Sequence, residues 1–192
     1  MFLIDNLLLV LLLLPLFGSF FLLIYPFQNK QVLKSIVLNF SCLTFILSLF
    51  AWVFFDKSVG TFQFTQKLLW IPTMSIDFSL GIDGISLFFV ILTTLLIPLC
   101  LLASWDSIQT DLKKYFISFL VMEFFLIGVF CILDLLLFYI FFESVLIPMY
   151  LIVGIWGSRE RKIRAAYFFF LYILVGSVLM LLSILYIYYQ VG

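Results

Sequence analysis

The residues of this chain that could do chemistry are two glutamates inside long apolar stretches, Glu123 and Glu143. An ionisable side chain at the centre of a bilayer costs several kcal/mol, so each needs a partner or a function. If the chain reverses direction at Asp134, which lies between them, the two carboxyls reach mid-membrane at depths that differ by about 3 Å. Such acids can serve a proton relay, and the structural alternative is a protonated acid that hydrogen-bonds a neighbouring helix.

Three other residues are predicted to shape the helices around these acids. Pro148 follows Glu143 by five residues and leaves a backbone carbonyl without its helical donor. That carbonyl offers water a binding site beside the acid, or the proline simply kinks the helix to improve packing. Asp134 is predicted to lie at the membrane interface and cap the next helix. Asp83 precedes a Gly-Ile-Ser sequence and is predicted to be the N-cap of another helix.

The composition requires an integral membrane protein. Hydrophobic residues make up 66% of the 192 residues and charged residues only 10%, against roughly half and a quarter in soluble domains. A soluble enzyme and a nucleic-acid-binding protein are therefore excluded. The chain has no His and three Cys without paired spacing, so we expect no metal centre, haem or iron–sulfur cluster on it.

The positions of the apolar runs predict an all-α fold in one transmembrane domain over residues 1–192. A span needs about 20 apolar residues, and six runs qualify. The first run follows Asp5 without a preceding Lys or Arg, which predicts a retained anchor rather than a cleaved signal. In the last run, Gly176-Ser177 predicts a close helix contact. The predicted spans are Leu7–Tyr25, Ser35–Phe55, Ile85–Ser104, Tyr115–Leu133, Leu135–Ile155 and Ala165–Tyr189.

The loops between these spans carry charge unevenly. Eight of the ten basic residues fall in the loops near residues 30–34, 113–114 and 159–164, which the positive-inside rule places in the cytoplasm or matrix, with both termini outside. The last of these basic clusters is also a candidate site for anionic lipid headgroups. The outer loop, 56–84, alternates apolar and polar residues from Ile76 to Asp83, which predicts a short strand or an amphipathic lid.

Several of these stretches together resemble the subunit 4 family of NADH:ubiquinone oxidoreductase (respiratory complex I). The resemblance covers nearly the whole chain and is most specific from residue 70 onward. It implies an antiporter-like, proton-pumping membrane-arm subunit with no redox cofactor of its own. The matching stretches are Leu80–Thr93, Asp134–Tyr150, Gly154–Gly157 and Phe169–Ser177.

The resemblance also implies roles for residues and partners. Glu143 falls on the family's essential intramembrane glutamate, which pairs with a Lys on a broken seventh helix, whereas Glu123 has no counterpart in that motif. FMN, iron–sulfur clusters and ubiquinone belong to other parts of the complex. The implied activity is that of a subunit of proton-translocating NADH:ubiquinone reductase, in which quinone reduction elsewhere changes the pairing of Glu143.

The chain departs from the family in helix number, because members have more than twice six helices in two inverted repeats. We therefore expect a separate chain to supply the remaining helices and the partner Lys, alongside other membrane-arm subunits. The alternatives are an incomplete piece with a purely structural role, or a subunit of a multi-chain cation/proton antiporter. Twenty-six Phe and no His suggest a T-rich organelle gene, which favours the mitochondrial inner membrane over a bacterial plasma membrane.

Overall fold

The structure is a computed structural model that describes residues 6–25, 29–71, 76–158 and 160–191. Six of its helices are long and apolar enough to cross a membrane, so the predicted six-helix architecture is confirmed. Two antiparallel strands lie between the second and third helices. In chain order the elements are α1 Leu7–Ile24, α2 Lys30–Phe54, β1 Gln63–Ile71, β2 Ile76–Ile82, α3 Gly84–Ala103, α4 Leu112–Cys131, α5 Leu135–Trp156 and α6 Lys162–Val191.

Helix α4 is the centre of the bundle. It packs against α1, α2, α3 and α5, whereas α6 packs mainly against α5. The contact between α5 and α6 includes the rings of Tyr150 and Phe170, with centroids 5.7 Å apart. The rest of α6 is largely exposed, and Tyr172 is 85% exposed. A side chain on α4 can therefore meet several neighbouring helices, while α6 presents most of its surface outside this chain.

The two strands close one end of the bundle, which we call the strand end. Strand β2 covers Ile76–Ile82, as the alternation of apolar and polar residues predicted. Its side chains Leu80 and Ile82 are buried in the apolar cluster formed by the helix ends. The backbone N–H of Leu133, between α4 and α5, donates to the Ser79 carbonyl at 2.9 Å. The sheet thus holds the reversal between α4 and α5 in place.

The opposite end, which we call the lysine end, is held by amines that bind exposed backbone carbonyls. Lys113 Nζ donates to the carbonyls of Leu23 and Tyr25 at the end of α1. Lys34, only 7% exposed, donates to the Trp105 carbonyl just beyond α3. Carbonyls at helix C-termini lack helical donors and carry partial negative charge, so ammonium groups satisfy them. The lysines that were predicted to set topology therefore also join helix ends.

The hairpin of α4 and α5 is tightly packed at Gly128. A Cβ atom built there would lie 2.2 Å from Cδ1 of Phe141 on α5, so no side chain fits without movement. Of the pair Gly176-Ser177, which was predicted to make a close helix contact, Ser177 is buried at 2% exposure, whereas a Cβ at Gly176 meets nothing within 4 Å among the described residues. Gly176 lies on the exposed part of α6. Gly128 therefore permits the close approach of α4 and α5, and Gly18 does the same for α1, where an added Cβ would lie 3.0 Å from Cγ of Phe40 on α2.

Asp83 occupies the N-cap of α3, where it forms a capping box. Its Oδ1 accepts a hydrogen bond from the Ser86 N–H at 2.7 Å, and the Asp83 N–H donates to Ser86 Oγ at 2.9 Å. Hydrogen bonds from the backbone N–H and the hydroxyl of Ser86 lower the pKa of the Asp83 carboxyl. The charged cap is thus favoured in the folded chain.

We expect Asp83→Ala to destabilise the chain by about 1 kcal/mol at neutral pH, the usual cost of a lost N-cap. Because the pKa is lowered on folding, the ionised group contributes stability above its unfolded pKa of about 3.9, and that contribution is lost as the pH falls through the folded value. Melting temperatures in detergent micelles should show the penalty shrinking in acid. Asp83→Asn, which keeps an acceptor at every pH, is the control, and an Ala penalty that persists at low pH would contradict this origin.

Candidate functional site

The hairpin places Glu123 and Glu143 at nearly the same depth. Glu123 lies eight residues before the end of α4, and Glu143 lies eight residues after the start of α5. Both are therefore about 12 Å from the strand end of their helices. The depth difference of about 3 Å expected from a reversal at Asp134 disappears, because the non-helical link is 132–134 and Asp134 is its last residue.

The two acids nevertheless point to different sides of the hairpin. Phe141 marks the face of α5 that meets α4, since its ring packs against Phe124 and Phe125 with centroids 5.4 and 5.7 Å away. Glu143 comes two residues later, about 200° further around α5. Glu123 is about 140° around α4 from Gly128, the residue that faces Phe141. The hairpin therefore aligns the acids in depth without bringing their carboxyls together.

Glu143 presents an unsatisfied carboxyl oxygen. Its Oε2 is buried and has no hydrogen-bond partner among the described residues. The one ion pair found in the described part of the chain joins Lys114 and Asp111 at the exposed lysine end. A buried carboxylate requires a cation or several donors. The site around Glu143 is thus chemically incomplete within the described residues.

The proline after Glu143 adds an acceptor to the same region. Pro148 is buried inside α5, which runs without interruption to Trp156. Because proline has no N–H, the Ser144 carbonyl lacks its helical donor. The Ser144 hydroxyl donates elsewhere, to the Ile140 carbonyl at 2.7 Å. A carbonyl without its helical donor, one residue beyond the acid, suits a donor such as water or an ammonium group.

Asp134 lies at the other end of the same helix. Its Oδ1 accepts hydrogen bonds from the N–H groups of Leu136 and Leu137, both at 3.0 Å, so it is the N-cap of α5. These bonds satisfy two of the four N–H groups that a helix start leaves unpaired. Asp134 therefore helps to set where α5 begins, and with it the depth of Glu143.

Glu123 has a different environment from Glu143. It is fully buried, at 0% exposure, and its Oε1 is 2.6 Å from Oγ1 of Thr44 on α2. Its Oε2 is buried and has no hydrogen-bond partner among the described residues. Thr44 was not among the residues predicted from the sequence. A detectable signal was present, because Ser41, Thr44 and Ser48 repeat at the spacing of one helix face in the otherwise apolar stretch 40–54 of α2.

Similar proteins define the class of membrane protein to which this fold belongs. The family model described as "NADH:quinone oxidoreductase/Mrp antiporter, TM" matches residues 132–192, which include α5 and α6. A structure of respiratory complex I from Thermus thermophilus contains a similar chain, with a TM-score of 0.77 and 28% identity over 93% of this chain and 35% of that one. An archaeal membrane-bound sulfane sulfur reductase shares the fold, with a TM-score of 0.80 at 18% identity, covering 96% of this chain and 37% of that chain. The chain therefore has the fold of antiporter-like subunits of respiratory membrane complexes.

The curated relatives with the highest identities point to one particular subunit. The chain is 59% identical to NADH-ubiquinone oxidoreductase chain 4 of Chondrus crispus, over 93% of this chain and 36% of the relative. The chain 4 proteins of Arabidopsis thaliana and Marchantia polymorpha are 56% and 53% identical, each over 95% of this chain and 37% of the relative. This chain is therefore homologous to NADH-ubiquinone oxidoreductase chain 4, and the resemblance predicted from its motifs is confirmed. It spans slightly more than a third of the length of these relatives.

Proposed function

We propose that this chain forms part of a proton-translocating membrane-arm subunit of NADH:ubiquinone oxidoreductase, in which Glu143 binds and releases a proton. The observation that carries the proposal is the buried, unpartnered Oε2 of Glu143 on the side of α5 away from α4. That glutamate lies within the segment that matches the antiporter family model. A carboxyl group with a buried oxygen that has no partner among the described residues is suited to binding and releasing a proton.

The proposed mechanism requires a lysine from outside the described residues. A carboxylate in hydrocarbon is stable beside a cation and costly without one. When the lysine approaches, Glu143 passes its proton to a water molecule; when the lysine withdraws, the carboxylate takes up a proton from water. The chain spans slightly more than a third of its relatives, so we assign the lysine to the helices that these residues do not include, packed beside α5 and α6.

In this proposal, other subunits of the complex carry out the electron transfer. FMN, iron–sulfur clusters and ubiquinone are held by other subunits, and this chain binds none of them. Its part is to couple their reaction to proton movement through the charge at Glu143.

We place the complex in the mitochondrial inner membrane, with the lysine end toward the matrix and both chain ends toward the intermembrane space. Anionic lipid headgroups are proposed to contact the basic residues near 159–164.

Native-gel separation of the source membranes, followed by peptide mass spectrometry, tests this proposal. We expect peptides of this chain in the band that oxidises NADH, together with peptides that cover the remaining helices, whether they belong to this polypeptide or to another. A band that contains this chain without those helices would favour a purely structural piece. If the chain occurs in a complex without NADH oxidation, the proposed function is wrong.

The matched family description also covers Mrp antiporters, which makes a subunit of a multi-chain cation/proton antiporter the second candidate. This candidate predicts proton exchange driven by a Na⁺ gradient in vesicles that contain the complex. The first candidate predicts proton uptake that requires NADH and stops with an inhibitor of quinone reduction. The two responses separate the candidates in a single vesicle preparation.

A further inference from the structure

A second polar region, distinct from the surroundings of Glu143, lies in the core between α2, α3 and α4. Ser41, Thr44 and Ser48 of α2 are all fully buried, as are Thr94 of α3 and Glu123 of α4. Ser48 Oγ and Thr94 Oγ1 are 2.8 Å apart, one helical turn from the contact between Thr44 and Glu123. Apolar side chains would fill this space at lower cost, so these polar groups need a specific explanation.

The single hydrogen of the Thr44 hydroxyl limits which hydrogen bonds can form around Glu123. Thr44 Oγ1 lies 2.7 Å from the Ser41 carbonyl and 2.6 Å from Glu123 Oε1. A threonine hydroxyl has a single hydrogen and can donate to only one of them. If it donates to the carbonyl, Glu123 must supply the hydrogen of the other bond and is a neutral acid. If Glu123 is charged, Thr44 must turn its hydrogen toward the carboxylate and release the carbonyl.

Among the described residues, the helices packed around Glu123 place no charged side chain close enough to fix its protonation state. Helices α1 and α3 carry no Asp, Glu, Lys or Arg within their described bounds. On α2, Lys34 lies ten residues from Thr44, about 15 Å along the axis, and binds the Trp105 carbonyl. On α5, Glu143 lies at the same depth but on the face away from α4. Cys42 of α2 and Cys100 of α3 are thiols rather than charge partners.

We propose that Glu123 is a second proton-binding site, and that Thr44 positions its proton by exchanging the roles of acceptor and donor. In the resting state neutral Glu123 donates from Oε1 to Thr44, which donates to the Ser41 carbonyl. On deprotonation the proton passes to a water molecule, and the Thr44 hydrogen rotates to the carboxylate. This proposal rests on the proposed function, because proton movement during turnover is what gives such a site a use.

Four variants of the intact complex test this proposal. Glu123→Gln removes the acid but keeps its shape, and Thr44→Val removes the hydroxyl. Thr44→Ser restores that hydroxyl. Ser48→Ala is the matched control, because it breaks an equally buried hydroxyl contact one turn away that involves no acid. The measurements are the protons moved per NADH oxidised and the infrared carbonyl band of a protonated carboxylic acid.

We expect Glu123→Gln to delete one such band and Thr44→Val to move it to higher frequency, as a lost hydrogen bond requires. Thr44→Val should also lower the protons moved per NADH by about two- to tenfold, the range of one hydrogen bond. Thr44→Ser should restore both readouts, and Ser48→Ala should leave both unchanged.

An unchanged infrared spectrum in Glu123→Gln would overturn the proposal. Equal losses in Thr44→Val and Ser48→Ala, without a band shift, would assign Thr44 to packing alone and overturn it too. Should Thr44→Val fail to assemble, the band lost in Glu123→Gln and kept in Thr44→Ser still decides the outcome. Absence of the chain from the NADH-oxidising band would instead refute the proposed function, which keeps the two failures distinguishable.

Discussion

Replacement of Glu143 by Gln is expected to lower NADH-driven proton translocation by about a hundredfold or more, within the ~10²–10⁴ range for loss of a proton-transferring group. Gln has nearly the same shape as Glu but holds no exchangeable acid proton, so it cannot follow an approaching cation. The buried, unpartnered Oε2 of Glu143 is the group that the variant removes. Proton uptake by vesicles that contain the complex, measured with a pH-sensitive dye, provides the readout.

The same variant should leave assembly intact, because the substitution adds no charge and little volume to α5. Glu160→Gln is the matched control, since Glu160 is an exposed acid in the loop that follows the same helix. It should pump like the unaltered complex. Undiminished proton uptake in Glu143→Gln, with normal amounts of complex on a native gel, would rule out Glu143 as the proton carrier and leave a structural role.

Replacement of Gly128 by Leu is expected to disrupt the α4–α5 hairpin. A Cβ alone would lie 2.2 Å from Phe141, and a leucine adds three further carbons to that space. Overpacking in a core costs about 1–3 kcal/mol, and here the crowded partner is a large, buried ring. We expect a lower temperature for loss of this chain from the complex, followed by heating and native gels. The displacement should also alter the depth of Glu143, which α5 carries.

Two comparisons identify the cause of that loss. Gly84→Leu makes the same change at the start of α3, where a Cβ meets nothing within 4 Å of the described atoms, and it tests whether any glycine replacement on these helices is harmful. Combining Gly128→Leu with Phe141→Ala should recover part of the stability, because the smaller side chain vacates the crowded space. If the double variant is as unstable as the sum of its parts, the clash with Phe141 is not the reason.

Local features of this protein follow from the amino-acid sequence alone. The six helices, strand β2 and the helix starts at Asp83 and Asp134 all agree with the pattern of neighbouring residues. Each depends on groups no more than three or four positions apart, such as the Asp83 carboxylate and the Ser86 N–H. Span length follows from the bilayer in the same direct way. Interactions at this range are encoded by spacing, so they can be predicted without the tertiary fold.

The partners across helices were decided only by the tertiary structure. Sequence spacing placed Glu123 and Glu143 at similar depth but not on different faces, and it did not indicate Thr44 beside Glu123 or Phe141 against Gly128. A helix that is apolar on nearly every side is soluble in lipid in any rotation, so its composition does not say which face turns inward. That rotation is selected by packing among all the helices at once. The sequence therefore determined which acids are buried, while the packing of the helices determined what each acid can touch.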